Sequence, residues 1–153
     1  MTRKRSSFRV PHTREMLLPL PANIVRKISL ENHLALAAIE AGHGTPDTMI
    51  ALVRVLYMTY FLLGKNVSDD DLEQFRVVED VLNDSIHAAE GGRNWRVGGE
   101  HMPAIRQMLL QLDDLLGAVP KHRYVDACGK MGSFAESPDQ SPLPGSRLEG
   151  IWE

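Results

Sequence analysis

Cysteine is nearly absent: the chain of 153 residues has one, Cys128. A single thiol excludes an intrachain disulfide and any zinc site built from several cysteines, and it favours a reducing compartment. Long apolar runs are missing too. The longest, Met49–Leu63, has fifteen residues with Arg54 as its one charge before Gly64 and Lys65 close it, whereas a helix that crosses a bilayer needs roughly twenty. It reads as a buried helix, and no membrane partner is expected. Met16–Leu20 is too short and too proline-interrupted for a signal-peptide apolar region, so the cytoplasm is the expected location.

Motifs of high specificity are lacking as well. There is no glycine-rich phosphate loop, nucleophile elbow, paired-cysteine metal site or zinc-protease helix, which lowers the expectation of an enzyme. No catalytic residue, metal or cofactor is assigned, although an active site assembled from scattered residues would escape this test. Strand-like alternation and internal repeats do not occur.

What is present is a composition of 43% hydrophobic and 24% charged residues, as expected of one water-soluble, core-forming domain. The net charge of -3 is unevenly spread. Arg3, Lys4, Arg5, Arg9 and Arg14 place five of the 17 basic residues ahead of the first acidic one, Glu15, which leaves 12 basic against 20 acidic residues in the remainder. A basic arm on an acidic body suits nucleic acid, the body of a neighbouring copy, or solvent alone.

Helical periodicity dominates the rest. Pro21 suits a first helical turn, and Ile24, Ile28, Leu34, Ala38 and Ala41 recur at helical spacing until Gly42. Thr45-Pro46-Asp47 combines an N-cap hydroxyl, a proline for the first turn and a carboxylate at the positive end of the dipole. The helix it launches, ending at Leu63, is apolar on nearly every face and so should be surrounded by neighbours. Ser68 and Asp71 have capping-box spacing ahead of a stripe of Leu72, Phe75, Val78, Leu82, Ile86 and Ala89. Met102, Ile105, Leu109, Leu112 and Leu116 mark a fourth helix from about Glu100 to Leu116, and Lys121–Gly129 suits a short helical turn. These features predict an all-α fold: an antiparallel bundle of about four helices over residues 20–130. A basic arm, extended or disordered, occupies 1–19, and a flexible polar tail rich in Pro, Ser and Gly occupies 131–153.

The candidate binding residues are Arg3, Lys4, Arg5, Arg9 and Arg14 on the arm, Arg93, Trp95 and Arg96 in the loop between the third and fourth helices, and Trp152 in the tail. Trp95 between two arginines suits stacking on a base or anchoring a partner protein, against the plainer role of capping the bundle end while both arginines stay wet. Trp152 gains nothing from a polar tail unless it docks on its own bundle or on another chain. Glu40 with His43, and Asp84 with His87, have the spacing of helical di-metal sites, and Glu90, Glu100 and His101 should gather at the same end. Surface histidines near helix C-termini account for that pattern more simply. Arg54 reads as a snorkelling or salt-bridged arginine, Tyr57 and Tyr60 as packing residues with hydroxyls at the boundary, and Cys128 as a plain thiol.

The arm Arg3-Lys4-Arg5-Ser6-Ser7-Phe8-Arg9-Val10-Pro11, the tryptophan loop, Leu112-Asp113-Asp114-Leu115-Leu116-Gly117-Ala118-Val119-Pro120 followed by Tyr124, and the polar tail together resemble small proteobacterial proteins carried by phages, prophages and plasmids. The resemblance implies a mobile-element setting and no catalytic residue. Proteins of this kind include regulators and inhibitors of host defence, such as anti-CRISPR proteins, which act by binding. The leading expectation is a non-enzymatic helical protein that acts by contact with a host or phage protein, with a homodimer as a further partner state. A nucleic-acid-binding regulator using the arm is the alternative, and a metal-dependent enzyme at the bundle end ranks last.

Overall fold

The computed structural model describes residues 12–148. Within them six α-helices follow one another: α1 (Arg14–Leu17), α2 (Ala22–Glu40), α3 (Pro46–Leu63), α4 (Asp69–Glu90), α5 (Met102–Ala118) and α6 (Lys121–Glu136). Single 3-10 turns, Gly64–Asn66 and Gly99–His101, follow α3 and precede α5. Among the described residues no strand forms; Pro19 and Pro120 make an isolated bridge. The all-α class is therefore as expected, with six helices in place of about four.

Local chemistry sets the helix ends. At α3 the Thr48 amide donates to the Thr45 hydroxyl oxygen at 3.2 Å and the Thr45 amide to the Thr48 hydroxyl oxygen at 2.9 Å, a reciprocal cap with Pro46 in the first turn. Ser68 and Asp71 do the same for α4, at 3.0 and 3.2 Å, so the spacing read as a capping box is one. Gly64 and Gly92 end α3 and α4 by adopting φ of 53° and 99°, conformations that a side chain resists.

The apolar helix α3 packs against α2, α4, α5 and α6. Met49, Leu52, Leu56 and Leu62 on it are fully enclosed, together with Leu82 of α4 and Ile105, Leu109 and Leu116 of α5. Burying each such side chain contributes about 1.5–3 kcal/mol, which makes α3 the centre of the core. By length and composition α3 with its following turn also meets the minimum for a membrane span, and 39% of that stretch is buried inside the fold. The expected stripes on α4 and α5 are largely buried, but that on α2 is rotated. Ala35, Leu36 and Ile39 are buried, whereas Ile24 and Leu34 are exposed. Spacing alone therefore put Ile24 and Leu34 on the wrong face, while Ile28 of the same stripe does pack against the core.

Two side-chain contacts fix how α2 lies on α5. Glu40 pairs with Arg106, and His33 Nε2 stands 2.8 Å from Asp113 Oδ2, so numbering rises along one helix as it falls along the other. At the opposite end from Glu40, α1 docks on α6: the Lys121 amide donates to Leu18 O at 2.7 Å and its Nζ to Glu15 at 2.7 Å. The expected extended arm is thus helical over Arg14–Leu17, because Thr13 caps it and α6 offers a surface.

The C-terminal segment differs most from expectation. The short turn at Lys121–Gly129 is instead a helix reaching Glu136, and the irregular chain from Ser137 to Leu148 is docked. Leu143 is 1% exposed, and Ser141 and Ser146 are buried. Arg76 Nε donates to Pro144 O at 3.0 Å, and Arg147 reaches Asp80 at 3.2 Å and Asp84 at 2.7 Å. We call this segment the strap. Its composition is that of a disordered tail, but one leucine and several hydrogen bonds hold it to α4.

Candidate functional site

Two polar regions stand out, and they are opposite in kind. The first is Glu79 in the middle of α4, 3% exposed. Its carboxyl accepts from the Tyr57 hydroxyl at 2.7 Å, from the Ser141 hydroxyl at 2.5 Å and from the Ser146 hydroxyl. Burial, and then the Glu79 contact, push the Tyr57 hydroxyl well above its ordinary range. The Tyr57 hydroxyl was expected at the boundary; it points inward because Glu79 needs donors. The expectation missed Glu79 itself. Its signal was available: it lies within the Phe75–Val78–Leu82 stripe, where a carboxyl needs internal partners. With every contact made inside the fold, this node is structural.

The second region is the loop after α4. Trp95 is half-buried against the core, and Val97 beside it is 5% exposed. Gly44, in the turn before α3, comes so close that a Cβ there would stand 1.9 Å from the Trp95 carbonyl oxygen. The loop is therefore braced from inside by Trp95 and Val97 and from the side by Gly44. Arg93, Asn94 and Arg96 remain exposed. The Arg93 amide donates to Ala88 O at 3.1 Å, but neither guanidinium has a hydrogen-bond or ion-pair partner among the described residues. A groove flanks the loop on each side, of about 680 Å³ towards Asp84 and Glu100 and about 360 Å³ towards Ile39 and Met102, with Asn94 and Arg96 lining both. A ridge of this kind presents two unpaired guanidinium groups on a fixed backbone between two recesses.

The other expected site residues do not join it. Arg3, Lys4, Arg5, Arg9 and Trp152 lie outside the described residues. Arg14 is exposed on α1, beside the start of α6. The 17 residues of α5 separate that corner from the Trp95 loop, a helix length of about 25 Å. No set of three His, Cys, Asp or Glu side chains could hold a metal among the described residues. Glu40 is paired with Arg106, His87 stands 3.8 Å from Glu90, and His101 3.5 Å from Glu100. From the pairs with metal-site spacing, Glu40, Asp84 and His87 thus each meet another partner instead of converging.

Fold and loop together define an all-helical protein with a braced cationic ridge at one end. Comparison with protein-family models, with curated proteins and with solved structures finds no match to this chain.

Proposed function

We propose that the protein is a non-enzymatic helical binding protein that acts on a protein partner through the Trp95 loop, in the cytoplasm of a bacterium carrying a mobile element. Support comes first from Arg93 and Arg96, exposed and unpaired among the described residues on a loop that Gly44 and Trp95 hold in place. Arginine is enriched at interface hot spots, and a braced loop loses little entropy on docking. Acidic side chains on the partner, seated against the ridge, would complete the pairing. The N-terminal arm and the resemblance to mobile-element proteins support the setting, with interference in host defence as the role in view. Packing of α2 to α5 as an up-down bundle belongs to the same reading, supported by the antiparallel α2–α5 pair.

The test is capture of partners with tagged full-length protein from a proteobacterial host, followed by affinity measurement on each purified candidate. Arg93→Ala with Arg96→Ala should weaken a true partner at least about tenfold, the equivalent of about 1.4 kcal/mol. Unchanged affinity in the double variant would remove the ridge from the proposal. A second copy of this chain is a further partner state, supported by exposed Leu30 and Leu34 on α2 and Leu110 on α5; sedimentation that gives a monomer at every concentration removes it. Nucleic acid is the second reading, supported by the basic arm, and it requires affinity that falls steeply with salt. The separation of Arg14 from the Trp95 loop argues against the two acting on one short site.

A further inference from the structure

A smaller cavity lies away from the ridge, where α2, α3, α5 and α6 meet. Its volume is about 200 Å³, the space of about seven water molecules at roughly 30 Å³ each. Val55, Leu112 and Leu116 are buried and form its floor, and Met58 lines the wall. Its polar lining comes from exposed Arg54 and from half-buried Asn32 and Tyr124, with the exposed thiol of Cys128 beside them. Among the described residues Arg54 carries the only formal charge lining the cavity. Its guanidinium has no hydrogen-bond or ion-pair partner among the described residues. Burial, and then a hydrogen bond with the neighbouring Cys128, push the Tyr124 hydroxyl up to about 12.

We propose that this cavity binds a small apolar monocarboxylate, a short-chain or monoaromatic acid of about eight to ten heavy atoms, with its carboxylate on Arg54 and its body on Val55, Leu112 and Leu116. Size sets the upper bound, because cavities for drug-sized ligands start at about 300 Å³. Charge sets the sign: no acidic side chain among the described residues lines the cavity, and the planar guanidinium fork matches a carboxylate with two parallel N–H donors. The apolar floor excludes inorganic anions such as phosphate, whose remaining oxygens would lose water without replacement. Met58 gives the wall the softness to accept either a chain or a ring. The site is separate from the ridge, and the proposal stands whether or not the ridge binds a protein.

Calorimetric titration of the full-length protein with hexanoate and with benzoate tests this, with hexylamine and 1-hexanol as matched controls. Saturable one-to-one binding is expected for at least one acid, at about 0.1–1 mM for a ligand of this size. The amine and the alcohol should bind at least about tenfold more weakly, since a hydrogen bond to a charged group is lost. Arg54→Gln, an exposed change whose folding circular dichroism can verify, should remove that preference, whereas Arg93→Gln should leave it intact. Failure of both acids to saturate at about ten times the expected range, equal binding of acid and amine, or full affinity in Arg54→Gln would each overturn the proposal.

Discussion

Glu79 and the Arg93–Arg96 ridge are both charged-residue regions of one helix and the loop that follows it, yet they have opposite relations to water. Glu79 is enclosed and accepts three hydroxyl donors from α3 and the strap. The ridge arginines are exposed, and their guanidinium groups have no partner among the described residues. The contrast separates two uses of polarity. A polar group whose bonding capacity is filled internally specifies the fold, because removing one partner strands the others. A polar group left open on a braced backbone contributes little to stability and is available to another molecule.

The largest test of the contrast is Glu79→Ala. It leaves the Tyr57, Ser141 and Ser146 hydroxyls without their acceptor, so a loss of about 3–5 kcal/mol is expected in urea unfolding. Earlier proteolysis within 137–148 should accompany it. A loss under about 1 kcal/mol would mean that the strap is held by Leu143 and Arg147 instead. Next comes Gly44→Ala, where the new methyl meets the Trp95 carbonyl oxygen. About 2–3 kcal/mol of destabilisation is expected, in the range of overpacking, with a red shift of tryptophan emission as the loop lifts away.

Alkali probes the same node with a weaker hand. The Tyr57 hydroxyl is raised in the fold, while the unfolded chain ionises near the ordinary value of about 10. Its contribution is therefore complete below about pH 10 and falls as pH rises further, because only the unfolded state releases the proton there. Tyr124, pushed up to about 12, adds a loss of the same sign. Denaturation midpoints should hold to about pH 10 and decline from there to about pH 12, and Tyr57→Phe should flatten that decline while lowering the starting stability. The smallest effect belongs to the ridge: Arg93→Ala with Arg96→Ala should change stability by no more than about 0.5 kcal/mol, as for surface substitutions without structural partners. A loss of several kcal/mol would reveal an internal role for these arginines and undo the distinction.

How much of this was legible in the sequence depended on whether the relevant contact was local. The caps at Thr45 and Ser68 were readable because both partners lie three residues apart. The stripes of α4 and α5 were readable because their outer faces are polar. On α2 the outward Leu30 and Leu34 defeated the period, and Ile24 was assigned to the wrong face. The strap was illegible for a different reason: its anchors reach Glu79 across 62 and 67 residues, and nothing in Ser141-Pro142-Leu143-Pro144 announces a distant acceptor. For the candidate site, the residue types at Arg93, Trp95 and Arg96 were evident, but the bracing by Gly44 was not. That contact depends on two backbones meeting across the fold, whereas glycine in a turn has a sufficient local explanation.

The reach of the strap has a consequence for how the protein is made. Glu79 leaves the ribosome well before Ser141 and Ser146, and at about 5–20 residues per second the gap is roughly 3–13 s. During that interval α3 and α4 can pair, but the carboxyl between them lacks two of its three donors. The nascent chain therefore holds an unfinished centre until Ser141 and Ser146 have been made, and a product terminated short of Ser141 would carry that defect permanently.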